Sequence, residues 1–324
     1  MNTTKTLSMV SLVLLSQTFI SCGGGGGDAD PTSLPQLGDL NTDNKENAGA
    51  IAYQGAITAF ELIRQPNPTW RSATNSQVVN GTVTITLDQC KSGTGTITYA
   101  EADISSYKTT WNNCEFNSSL YFGFLGVKLN GEVFGSGFSD ASGESGTLEF
   151  KDLTIIGSNS PYMTINGKVQ FSIDGVRSNF EVVADQSDEN LNIIYGELPG
   201  LSSHSLNAFK FILNEDVQAT KSLNIVSLEY TSSFAPNASL QAFTPAVLVR
   251  RDNDSSPYLG TLKVAARDNT NAEFVVVDNA GMKLFFDGDG DGAVATDGIG
   301  LDEVIDVDWD QLDFNTFDFY PFFP

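Results

Sequence analysis

The sequence predicts an all-β fold: an antiparallel meander, arranged as a sandwich or a curved, barrel-like sheet, with one N-terminal helix. Three observations carry that prediction. From Asn80 onward apolar and polar residues alternate with a period of two; clusters of Gly, Asp, Asn and Pro interrupt the alternation at strand-like intervals; and no long amphipathic helix intervenes to support a parallel βαβ sheet.

The first 21 residues precede this body and have a different character. Met1 to Thr6 carries one charge, Lys5, and Leu7 to Ile20 is an apolar and small-residue run of signal-peptide length, too short to span a bilayer as a helix. Phe19-Ile20-Ser21-Cys22 then leads into five glycines, Gly23 to Gly27. The stretch resembles the lipobox of bacterial lipoproteins, with Phe19 where the pattern prefers Leu. That resemblance implies cleavage before Cys22, acyl (palmitate) chains on Cys22, and outer-membrane retention, because Gly23 is not Asp. More than one acyl chain gives stable anchorage. Residues 22–44, with Pro31, Pro35 and several Asp, read as a flexible tether.

Charge and cysteine content bound the remainder. The full chain has a net charge of -23; with Lys5 removed, 16 of the 17 basic residues face 40 acidic ones. Such a balance argues against nucleic-acid binding and against docking on anionic lipid through a basic patch. If Cys22 takes lipid, Cys90 and Cys114 are left as a pair in an oxidising compartment, and a disulfide is the expectation. A metal site at these cysteines is the alternative, but there is no CxxC spacing and the only histidine, His204, is distant in sequence.

The body, residues 45–324, begins with the helix, which is expected over Asp43 to Arg64. Asp43 and Glu46 fit a capping box, Ala50, Tyr53, Ile57 and Phe60 recur at helical spacing, and Pro66 and Pro68 end it. A strand follows at Val83 to Leu87, Gly93 and Gly95 are expected to turn the chain, and Thr96 to Tyr99 resumes the alternation. Strands are next expected at Lys108 to Asn112 and Leu120 to Leu129. Asn130-Gly131, Asn166-Gly167 and Asp174-Gly175 then predict three hairpin turns, since these dipeptides supply the positive φ of a type I′ turn. Further strands are expected at Asn192 to Tyr195, Phe209 to Leu213, Leu223 to Tyr230, Ala246 to Arg250, Leu259 to Ala266, Glu273 to Val277 and Met282 to Phe286, with a sub-boundary allowed near 236–245. No strict repeat is legible, although Asn-Gly ahead of a Val-containing strand recurs. A transmembrane barrel is disfavoured: aromatic girdles are lacking, and Pro321 and Pro324 interrupt the aromatic C-terminus.

The strongest candidate for chemistry is Asp287-Gly288-Asp289-Gly290-Asp291-Gly292-Ala293-Val294. Carboxylates at alternate positions can converge on one hard cation, and Gly292 permits a sharp turn. The stretch resembles the first half of an EF-hand or dockerin-type calcium loop. The resemblance implies Asp287, Asp289 and Asp291 as side-chain ligands, the Ala293 carbonyl as another, and structural calcium (Ca2+) as the cofactor. The later, bidentate ligand falls to Asp297, or over a slightly longer loop to Asp302 or Glu303, or is absent. No basic residue follows Lys283, while eleven acids lie between Asp287 and Asp318, a density that repels itself unless a cation offsets it.

For catalysis the sequence offers little: no Gly-x-Ser-x-Gly elbow, HExxH motif or phosphate loop is present, and His204, in Ser202-Ser203-His204-Ser205, reads as a solvent-exposed bystander. Trp70, Trp111 and Trp309 read as core residues. The expectation is therefore a non-enzymatic, lipid-anchored protein of the outer membrane, facing periplasm or medium, with a structural or binding β-domain; the partner, whether protein, glycan or lipid, is left open. A carrier of apolar ligands, with a cavity lined by Phe122, Phe124, Phe171 and Phe180, is the alternative, and an acid-based hydrolase a third. The chain also resembles Gram-negative lipoproteins that combine a glycine tether, a β-meander with Asn-Asn-Cys ahead of an Asn-Gly hairpin, and an Asp/Gly loop before a tryptophan, here Asn112-Asn113-Cys114, Asn130-Gly131 and Asp287 to Trp309; that resemblance implies no activity.

Overall fold

A sheet whose strands alternate apolar and polar residues must bury one face, and here a helix provides the cover. The computed structural model describes residues 40–64, 76–87, 90–116, 128–140, 143–156, 161–176, 178–195, 203–215, 220–233, 235–251, 254, 256–294 and 302–309. The signal, Cys22, most of the tether, Trp70, Phe122, Phe124 and Asp297 lie outside these residues.

Helix α1 (Lys45–Arg64) precedes sixteen strands. They are β1 (Ser76–Val79), β2 (Thr82–Thr86), β3 (Cys90–Ala100), β4 (Asp103–Phe116), β5 (Lys128–Asp140), β6 (Gly143–Ile156), β7 (Pro161–Asp174) and β8 (Asn179–Ala184). The second half adds β9 (Asn190–Tyr195), β10 (Ser203–Glu215), β11 (Thr220–Ser232), β12 (Ala235–Arg251), β13 (Leu259–Ala265), β14 (Asn271–Val276), β15 (Gly281–Asp287) and β16 (Glu303–Asp308). They form one antiparallel sheet in chain order, and the short strands β8 and β9 share a single lane between β7 and β10. The fold is thus all-β with one N-terminal helix. β12 runs unbroken through residues 235–251, the stretch where a sub-boundary was allowed.

Helix α1 packs against β8 and β10 to β14. Its small residues Ala48, Ala52, Ala56 and Ala59 are buried, as are Ile51, Phe60, Leu62 and Ile63, and none of its described side chains is exposed. Its half-buried positions, among them Glu46, Asn47 and Gln54, carry the polar groups, while the buried ones are almost all apolar. Burying Phe60 completely stabilises by about 2 kcal/mol. Across the interface the buried Tyr230 hydroxyl donates to the Ala48 carbonyl at 2.8 Å, giving the phenol its partner. The start of the helix differs from the expected capping box. Asn41 organises it: its carbonyl accepts from the Lys45 amide at 3.0 Å and its side chain from the Asp43 amide at 2.9 Å.

Two of the three predicted hairpin turns are not turns. Asp174-Gly175 does end β7, but Asn130-Gly131 lies inside β5 and Asn166-Gly167 inside β7. Their positive φ, 107° at Gly131 and 130° at Gly167, accommodates a bulge in the neighbouring strand instead. In β6 the pairing skips one residue against both neighbours, and Asp152 takes φ 48°. The Asn166 Oδ1 accepts from the Asp152 amide at 2.7 Å, and a Cβ added at Gly131 would run into the Asp152 carbonyl. β4 repeats the arrangement: Asn113 has φ 49° and its amide donates to Asn130 Oδ1 at 2.7 Å. The extra residue also shifts the alternation, from Leu148 and Phe150 to Leu153 and Ile155 in β6, so that the same face stays on the core. Gly93 and Gly95 likewise lie within β3 rather than at a turn, and β1, β6 and β16 are strands that the alternation did not disclose.

The face away from the core is polar over β4 to β7. Lys108 pairs with Glu132, Lys151 with Glu149 at 3.0 Å, and Lys168 with Asp188 at 2.9 Å. The predicted disulfide joins β3 to β4, Cys90 to Cys114, with Cα atoms 5.0 Å apart and Cys114 fully buried. Removing it by Cys90→Ser with Cys114→Ser is expected to lower unfolding stability by about 3 kcal/mol. Urea titration of the oxidised, reduced and double-Ser proteins checks this; an unchanged midpoint would show that the bridge does not constrain the unfolded chain.

Candidate metal centre

The acidic loop connects the last two strands. β14 pairs Asn271 with Asp287 at the end of β15, and Asp302 immediately precedes β16. Asp287 is 1 % exposed, and a carboxylate that deep must be met by donors. The Gly290 amide donates to its Oδ1 at 2.7 Å, while the Gly292 amide and Asn271 Nδ2 donate to its Oδ2 at 2.9 and 2.8 Å. These bonds wrap the loop around Asp287, and Gly290 and Gly292 reach the positive φ this needs, 71° and 89°.

Asp302 closes the loop from the other side, accepting from the Gly288 amide at 3.0 Å. One oxygen each from Asp287, Asp289 and Asp302 then lies within 4.8 Å of the other two. An oxygen set of this kind suits a hard divalent cation, and carboxylates so close repel one another until a cation or a proton offsets their charge. The three differ in exposure: Asp287 is buried, Asp302 half-buried and Asp289 exposed, so one side of the cluster is open to solvent.

Of the five residues expected at the site, Asp287 and Asp289 are brought together. Asp291 is exposed and outside the converging set; its Oδ1 accepts from the Ala293 amide at 2.8 Å, which uses it to shape the loop. Ala293 is exposed and enters the geometry through that amide. Asp297 lies outside the described residues, and Asp302, open as an alternative in the sequence, supplies the third carboxylate. Glu303, the other alternative, is engaged elsewhere. Its Oε2 meets Lys45 Nζ at 3.0 Å, and Lys45 also donates to the Thr42 carbonyl at 2.6 Å and lies 5.6 Å from the Phe286 ring centre. Lys45, with a side chain only 6 % exposed, is thus the cation that the C-terminal sequence lacks, delivered from the start of α1. No spacing rule connects positions 45 and 303; the acidic, lysine-free segment was the only hint.

His204 is not the exposed bystander expected. It sits in β10, opposite Ser232 of β11, is 3 % exposed, and shares a 3.0 Å hydrogen bond through Nδ1 with Ser232 Oγ. Ser232 is buried as well, so the pair faces the interior rather than a cleft. Burial pushes the imidazole down to about 4, which makes it a weak base. Two of the three tryptophans, the two described, fit their expected place: Trp309 is buried against Tyr53 of α1, ring centres 5.5 Å apart, and Trp111 packs half-buried on the core.

The histidine gives a pH dependence with a definite sign. Unfolded, it takes a proton near pH 6.5; folded, only near 4. Stability from keeping it neutral is therefore complete above about pH 6.5 and lost as pH falls toward 4, roughly 3 kcal/mol in all. Because it is the only histidine, denaturant titrations from pH 7 to 5 should show a slope that His204→Gln removes; an identical slope in the variant would refute the assignment. Comparison of the chain with protein-family models, curated proteins and solved structures finds no match.

Proposed function

We propose that this chain is a lipid-anchored outer-membrane protein whose β-body is a non-enzymatic structural or binding module stabilised by calcium. The observation that carries the calcium is the convergence of Asp287, Asp289 and Asp302, held by amides of their own loop. A cation there would tie the end of β15 to the start of β16. A weak site suffices outside the cell, where calcium is abundant. The anchor rests on Ser21-Cys22 and the glycines that follow.

A carrier of apolar ligands finds less support. α1 lies on the sheet where a ligand would have to sit, and Phe209 and Phe211 stack at 4.6 Å beneath Phe60. Phe180 is buried and Phe171 packs half-buried on the same core. Lipid exposure of the sheet's outer face is opposed by its lysine–carboxylate pairs over β4 to β7.

Calcium at about ten times Kd is expected to raise Tm by about 3 °C, and Asp289→Asn with Asp302→Asn should abolish the rise. Thermal melts in calcium and in chelator decide it: superimposable wild-type curves would remove calcium from the proposal. The anchor is tested separately. Cys22→Ser should move the protein from the membrane fraction to the soluble one and end incorporation of labelled palmitate; a variant still membrane-bound would refute lipidation at Cys22.

A further inference from the structure

The bulges described above are steps of one line that crosses the sheet. It begins in β3, where Gly93 has φ 74° and an added Cβ would meet the Asn113 carbonyl of β4. Gly131 stands in the same relation to Asp152, and Gly167 to Asn190. The glycines are 38 and 36 residues apart, and the Asx residues they face are 39 and 38 apart. After each Asx comes a fully buried side chain, Cys114, Leu153 or Leu191.

Successive steps are joined in the same way. The Asn before Gly131 accepts from the Asn113 amide at 2.7 Å, and the Asn before Gly167 accepts from the Asp152 amide, also at 2.7 Å. In the third step Gly167 pairs in register with Leu191, and the insertion stands two residues further on as a longer excursion, residues 184–189 opposite Val169. The buried Glu189 carboxylate holds it, accepting from Gln170 Nε2 at 2.9 Å and from the amides of Asp185 and Gln186 at 3.2 and 3.3 Å.

We infer that β3 to β9 are three tandem copies of one two-strand bend module of about 38 residues, a wrapping device in which each copy adds two lanes and one bulge. A bulge bends its strand and increases the local twist, and bulges aligned across neighbouring lanes bend the whole sheet along one line. Core residues of β4 to β7 on both sides of that line join the same buried cluster as α1, so the modules carry the sheet round toward the helix. Equivalent joints make the copies exchangeable: β5 up to Glu132 continues in phase into β7 from Val169, because Glu132 and Val133 follow Gly131 as Lys168 and Val169 follow Gly167.

The test deletes one module from the full chain. Removing residues 133–168, 36 residues, preserves the phase; removing 133–167 leaves one residue too many and turns one half of the fused strand inside out. The 36-residue deletion is expected to keep a single cooperative melt, the Cys90–Cys114 bridge and slow amide exchange in α1, and the 35-residue deletion to lose the cooperative melt. Loss in both, or retention in both, overturns the inference. Point variants read the joints without shortening the chain. Asn130→Ala and Asn166→Ala should lower Tm by the same amount, and a loss at one with none at the other would show that the joints are not copies.

Discussion

The enclosure of α1 by the sheet is the constraint on which the other features depend. A meander of this width exposes a broad apolar face, and one twenty-residue helix is a narrow cover for it. The sheet therefore has to come round the helix. Alanines at 48, 52, 56 and 59 keep the helix thin on its packed side, and Tyr230 spends its only hydroxyl on the Ala48 carbonyl rather than leaving a polar atom stranded. The cost of bending falls on strands β4 and β6, where Asn113 and Asp152 hold a positive φ that Asn and Asp tolerate better than other residues with a side chain. Asn130 and Asn166 offset that strain by satisfying the amides the bulges leave over.

Enclosure also explains the burial of Lys45. The chain enters the core at Leu40, which is fully buried, and begins α1 four residues after Asn41. Lys45 cannot reach solvent there, so it must find an anion, and Glu303 on the edge strand β16 is that anion. The first helix and the last described strand are thus fastened to each other. Phe286 beneath the ammonium and the Thr42 carbonyl beside it complete the surroundings of a charge that would otherwise lose its hydration without compensation.

Period-two alternation made the fold class legible, because one buried face is imposed on every strand alike. The same rule hid the strands that depart from it. In β6 the buried positions change from even to odd numbers at Asp152, so no single phase fits the element. Asn-Gly was misread for a related reason: the dipeptide reports a need for positive φ, and a bulge opposite the glycine meets that need as well as a hairpin turn does. Asp287 and Asp289 were legible because ligands from one tight loop are close in sequence. Asp302 was legible only as one of several alternatives, since it returns across a long connection, and Lys45 not at all, since it comes from the far end of the chain. His204 was misplaced by its polar neighbours Ser203 and Ser205, which in β10 are simply the outward-facing alternates.

In the proposed reading these features meet at one end of the molecule. The tether leads into Leu40, Leu40 into Lys45, Lys45 onto Glu303, and Glu303 adjoins Asp302 of the candidate cation site. Any pull on a lipid anchor at Cys22 would reach the body through this sequence of contacts before it reached the sheet. β16 carries that contact as an edge strand paired with β15 alone among the described strands, through six residue pairs, and an edge strand opens more readily than a central one. A cation bridging Asp287, at the end of β15, to Asp302, at the start of β16, would reinforce the one strand pair to which the helix's charged end is fastened. The position of the acidic loop is then as informative as its composition: a cation there would hold together the first helix and the last two described strands, the parts that follow the proposed tether.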